Sequence, residues 1–219
     1  MKEKKHITIF DIDKNEADFM AGKDLLECSP NDVTMNNRSE FESLIRSTKR
    51  CNTEKLLEYL EQTDFYTAPA SRKDHLNIEG GLLQHSLNVY QLAIRIWEQL
   101  STVAIMNDVN RDNIVIASLL HDVCKADLYI KQADGGYLKN YSNFPAGHGE
   151  KSVIQILRIG FPLTEAEILA IEYHMGAFRL PLHSEEADQN YRAACNFSPL
   201  VSIIHCADTL ASNIIENRQ

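Results

Sequence analysis

The chain is short of residues that break helices. Glycine and proline number 9 and 6 in 219 residues, about 7 % against roughly 12 % in average usage. That scarcity argues against many short strands joined by tight turns. The five cysteines (Cys28, Cys51, Cys124, Cys195 and Cys206) are odd in number and form no CxxC pair. This excludes a closed disulfide framework and a structural zinc knuckle, and fits a reducing compartment with the cysteines as small core hydrophobes. Basic charge is in deficit as well: 22 Lys and Arg oppose 31 Asp and Glu, a net charge of −9. General duplex-DNA or membrane-surface binding is therefore not expected. An anionic substrate stays open, because bound cations invert a local field. There is no 18-residue apolar run, so no membrane span is expected. The start MKEKKHITIFDIDKNE lacks the apolar core of a signal peptide, and the expected location is the cytoplasm. The phosphate loops GxxxxGK and GxGxxG and the nucleophile elbow GxSxG are missing too.

A hydrophobic fraction of 44 % and a charged fraction of 24 % are those of a globular chain of one main domain. Residues 1–36 carry the weakest pattern, with HITIF as one short strand. In FDIDKN, the residues Asp11, Asp13 and Asn15 fail as a calcium loop because Glu16 stands where glycine is needed. They fail as the strand-end DxD of an aspartyl-phosphate phosphatase because no strand–helix alternation follows, which leaves a solvated acidic loop. Helical patterning begins at Ser39 and resumes at TEKLLEYLEQTDF, with Thr53 as the expected cap. After a loop closed by Gly80-Gly81, a helix is expected over 81–100, since Leu82, Val89, Ala93, Ile96 and Leu100 recur at helical steps. A more apolar helix is expected over 111–125. A small hairpin should form around Asp134-Gly135-Gly136, and helices over 149–159, 164–175 and 199–216, with 176–192 as a polar loop. The fold class is all-α, with an N-terminal extension over 1–50.

Several polar residues fall on apolar faces. His85 lies three after Leu82 and four before Val89. His121 lies seven after Ile114, and Asp122 is next to it. His174 lies three and four after Ile171 and Ala170, and Asp208 four after Ile204. Buried carboxylates must be paired, metal-bound or neutralised. Imidazole and carboxylate without thiolate suit Mn²⁺, Fe²⁺, Ni²⁺ or Zn²⁺, with Mg²⁺ also open.

The segments GGLLQHSLNV, SLLHDVCK, FPAGHGEKSV, IEYHM and IIHCADTLAS, in that order, resemble the HD superfamily of metal-dependent phosphohydrolases. The resemblance covers about residues 66–216. It implies a helical bundle over 51–219, with His85, His121, Asp122 and Asp208 as primary ligands of a divalent metal. His148 and His174 stand where members with two metals carry further histidines, and Asp122 would then bridge the ions. TAPAS followed by GGLLQHSLNV further resembles the HD domain of bacterial 3′–5′ exoribonucleases, although residues 1–50 are too short and strand-poor for their nucleic-acid-binding barrel. The activity implied is hydrolysis of a phosphate ester on a nucleotide or short oligonucleotide by a metal-activated water. Two alternatives stand beside it: a nucleotide-binding sensor without turnover, and a di-iron oxygenase of the same fold.

Around these ligands, Lys125 lies one helical turn after His121. It either reaches a phosphate oxygen or leaving group, or simply complements the helix dipole. Arg72 and Lys73 are candidate phosphate contacts. His205, on the face of Asp208, is expected to support a ligand from behind. Glu150 is either such a support or a first-turn acid. His75 stays open, and His6 and His183 read as surface residues.

Overall fold

The computed structural model describes residues 30–140, 147–176 and 185–216. HITIF, the Asp11–Asn15 loop, His6 and His183 lie outside them. The elements are α1 (Pro30–Ser47), α2 (Thr53–Glu61), α3 (Gly81–Leu100), α4 (Arg111–Leu120), β1 (Tyr129–Lys131), β2 (Tyr137–Lys139), α5 (His148–Ile159), α6 (Glu165–Glu172), α7 (Glu185–Phe197) and α8 (Pro199–Leu210). The fold is all-α, and the antiparallel pair β1–β2 forms the expected hairpin with Tyr129 opposite Lys139.

The centre of the bundle is α4. Every residue from Asn113 to Leu120 is buried, as expected of a helix that is apolar all round. An Asn110–Asn113 capping box fixes its start. Helices α3, α6 and α8 pack around α4, and α5 packs on α6. Leu82, Leu83, Ile116, Leu119 and Ile204 fill the space between them. Helix α1, which the sequence reading places in the extension, buries Phe41 and Ile45 in the same core.

Three local expectations are corrected. Thr53 is not the cap of α2: Asn52 occupies that position with left-handed backbone, and the Thr53 hydroxyl instead donates to the Arg50 carbonyl at 2.8 Å. The helix expected over 111–125 stops at Leu120, and a 3₁₀ turn over Val123–Lys125 follows His121-Asp122. The polar stretch ending at 192 is not all loop, because α7 starts at Glu185. It buries little beyond Ala187 and Ala194, so its stripe is too small to stand out from the charge around it.

Candidate metal centre

The end of α4 decides the site. His121 and Asp122 stand where the helix gives way to a 3₁₀ turn, so the two adjacent side chains turn into the same pocket instead of diverging. His85 comes from α3, His148 from the first residue of α5, His174 from the turn after α6 and Asp208 from α8. Gly149 lets α5 enter: a Cβ there would collide with the carbonyl oxygens of Ile171 and Glu172. With only hydrogen at that position, the His148 and His174 rings approach to 5.1 Å between centroids.

The imidazoles are oriented from behind. A backbone carbonyl can only accept, so its partner nitrogen must donate. His121 Nδ1 donates to Ser118 O at 2.7 Å, and His174 Nδ1 to Ile171 O at 2.6 Å. His85 Nδ1 lies 3.1 Å from both oxygens of Glu216, and His148 Nδ1 lies 3.0 Å from Cys124 Sγ. For His121 and His174 this makes Nε2 the nitrogen that is turned inward.

Those inward nitrogens meet carboxylate oxygens. His85 Nε2 is 3.2 Å from His121 Nε2, 3.2 Å from Asp208 Oδ1 and 3.5 Å from Asp122 Oδ2. His121 Nε2 and Asp122 Oδ2 are 3.4 Å apart. Ligands held roughly 2.0–2.3 Å from one ion stand about 3–3.5 Å from each other, so this set fits a divalent cation. The other oxygen, Asp122 Oδ1, faces His148 Nε2 at 2.7 Å and His174 Nε2 at 3.6 Å. Despite these approaches, Asp122 Oδ1 and His174 Nε2 are buried without a hydrogen-bond partner. Unpaired buried polar atoms are rare and call for a ligand or water.

The charged groups of the site set one another's ionisation. Burial opposes ionisation of Asp122, but Lys125, His121 and His148 hold its carboxyl well below the usual range. Asp208 is held low against burial by His85 and its neighbouring histidines. Burial also opposes the charged His85, yet its hydrogen bonds to Asp208 and Glu216 outweigh this and raise it to about 9. His148 rises to about 10 against burial, through Cys124 and Asp122. Burial and the neighbouring His121 push His174 down to about 3, so it stays neutral. Lys125 Nζ lies 2.6 Å from Asp122 Oδ2, which keeps it charged despite burial.

A cleft of about 400 Å³ opens over this cluster, lined by Asp122, Lys125, His148 and Asp208 together with His75, Tyr129 and Lys139. Arg72 and Lys73 are exposed and outside that lining, although the Arg72 charge reaches Tyr129 at the wall. His205 supports His174 through the backbone, donating from Nδ1 to its carbonyl at 2.7 Å. Glu150 is exposed in the first turn of α5. Sequence reasoning missed Tyr129, Lys139, Cys124 and Glu216. The first two sit on a hairpin whose facing is set only by its register.

This all-α bundle gathers four imidazoles and two carboxylates at the end of its central helix, a histidine–carboxylate cluster that could hold a metal ion. An HD-domain profile matches residues 82–213, and the chain belongs to that family. It is also similar to a dihydroneopterin 2′,3′-cyclic phosphate phosphodiesterase of Methanocaldococcus jannaschii, 35 % identical over 103 residues. The match takes in 47 % of this chain and 41 % of the relative, so it spans less than half of either. No solved structure matches the chain. Among the described residues, no helix is long and apolar enough to cross a membrane.

Proposed function

We propose that the chain is a metal-dependent phosphohydrolase that cleaves a small phosphate ester, with a phosphodiester of a nucleotide or nucleotide-like compound as the favoured substrate. The carrying observation is the set of imidazoles whose Nδ1 atoms are engaged from behind, so that their Nε2 atoms meet Asp122 and Asp208. His85, His121, Asp122 and Asp208 would hold one divalent ion, and His148 and His174 a second against Asp122 Oδ1. Bound there, such ions supply a water of lowered pKa as nucleophile and offset charge on phosphoryl oxygens. Family membership and the phosphodiesterase relative support the same chemistry.

The chain's own groups do the rest. Lys125, anchored by Asp122, projects into the cleft as a fixed cation for a phosphoryl oxygen. Lys139 adds a second positive charge and Tyr129 a half-buried aromatic wall that a planar ring can cover. Arg72 and Lys73 stand as outer candidates for a longer anionic substrate. In the reaction, water adds to phosphorus, the P–O bond to the leaving alcohol breaks, and that oxygen takes up a proton.

The test is a panel of phosphomonoesters, linear diesters and 2′,3′-cyclic nucleotides, offered to protein loaded in turn with Mn²⁺, Fe²⁺, Ni²⁺, Zn²⁺ and Mg²⁺. A diester should be hydrolysed, and a chelator should abolish the activity. Tight nucleotide binding with no ester cleaved under any metal would replace this reading with the sensor. Oxygen consumption by the iron-loaded form without ester cleavage would favour the oxygenase.

A further inference from the structure

Behind His85, on the side away from the other candidate ligands, lies a carboxylate that the sequence pattern does not place there. Glu216 is 8 residues after Asp208. On a continuous α-helix of 3.6 residues per turn, that spacing would leave the two about 80° apart. The chain does not continue as α-helix. Ala211–Ile215 forms a single π turn, and the Glu216 N–H donates to Ala211 O at 3.0 Å. A π turn absorbs one extra residue, so Glu216 takes the angular place of a seventh residue, about 20° from Asp208. Both carboxylates then face His85, Asp208 at Nε2 and Glu216 at Nδ1.

The Glu216 side chain is 1 % exposed, as is that of His85. Asn88, one turn further along α3, donates from Nδ2 to Glu216 Oε1 at 2.9 Å and holds the carboxylate in place. His75 closes the other side, with Nε2 3.8 Å from Oε2 and its ring 5.0 Å from that of His85. A carboxylate behind a ligating imidazole fixes its tautomer, its ring angle and its basicity.

We infer that Glu216 is a positioning residue for the metal centre: it engages Nδ1 of His85 so that Nε2 is presented to a divalent cation, and the π turn exists to bring it there. This rests on His85 being a metal ligand, as proposed above. The experiment measures Co²⁺ affinity by competition with a chelator, together with the visible ligand-field spectrum, for wild type and for Glu216→Gln, Glu216→Ala and His85→Ala. Glu216→Ala should weaken Co²⁺ binding about 10–100-fold, the range typical for loss of such a partner. Glu216→Gln keeps an oxygen acceptor without the charge, so it should lie between that and wild type with a shifted spectrum. Should the alanine variant not fold, the glutamine variant carries the test. If His85→Ala loses the metal while both Glu216 variants bind it within about threefold of wild type with an unshifted spectrum, Glu216 only holds the chain end in place and the inference fails. If His85→Ala binds Co²⁺ as wild type does, the metal centre assigned above fails with it.

Discussion

Two buried carboxylates, Glu167 and Asp122, sit in the same bundle with side chains 0 % and 2 % exposed. Glu167 is answered on every side. Arg50 donates to both oxygens at 2.5 and 2.6 Å, Asn113 donates at 2.9 Å, and the Thr164 N–H donates at 2.8 Å. Its cluster ties the α1–α2 turn and α4 to the start of α6, and nothing in it lacks a partner. Asp122 has Lys125 on one oxygen, while the other is crowded by imidazole nitrogens without a well-aligned hydrogen bond. The protein has a complete polar network at the joint and an incomplete one at the candidate metal centre. Burial alone would have ranked these carboxylates together; satisfaction separates them.

Removing a member of each cluster should therefore do opposite things. Asp122→Ala should lose bound metal and lower turnover by at least about 1,000-fold, because roughly 4 kcal/mol of transition-state stabilisation is tied to the ion. Circular dichroism should still show a folded chain. Arg50→Ala should instead cost about 3–5 kcal/mol of stability by stranding Glu167. Denaturant unfolding would read that loss, and the folded fraction should keep metal content and turnover. An Asp122→Ala variant that retains its metal, or an Arg50→Ala variant that loses it, would erase the distinction.

The unpartnered side of Asp122 can be sharpened next. His148→Ala and His174→Ala should each lower the metal content, read by elemental analysis, from two ions per chain toward one. The rate should fall with the metal content if both ions share the work. Unchanged metal and rate in both variants would leave a single-ion centre. Lys125→Ala probes the satisfied side. It should keep its metal and lose about 100–1,000-fold in kcat, as for removal of one preorganised group facing the developing charge; loss of metal would make Lys125 a structural counter-ion instead.

How far all this could be read from residues alone follows the same divide between regular and irregular backbone. The stripe Leu82, Val89, Ala93 carries His85 on a regular helix, so α3 and its histidine are legible from spacing, as is Asp208 on α8. His121-Asp122 is legible as a pair that interrupts an apolar run, although the 3₁₀ turn that aims both inward is not. Glu216 hides because a π turn changes the period, and α7 because it buries only two small residues in full. The Cys124–His148 contact joins two segments through packing that no periodicity encodes.

The smallest effect should belong to Lys139, whose position depends on the hairpin register that sets it opposite Tyr129. It lines the cleft but is exposed, with a long solvated side chain. Charge contacts in such settings are worth about 0.2–1 kcal/mol. Lys139→Ala should therefore raise KM for a phosphorylated substrate about 1.5–5-fold, with kcat and metal content unchanged, and Lys139→Glu should raise it further. Both differences should shrink as salt rises toward 1 M, where the screening length falls to about 3 Å. The contrast with Lys125 lies in which constant moves: the cation held by Asp122 should act on kcat and the solvated one on KM. A Lys139→Ala variant that lost kcat as strongly as Lys125→Ala would place the hairpin inside the reacting site and not at its mouth.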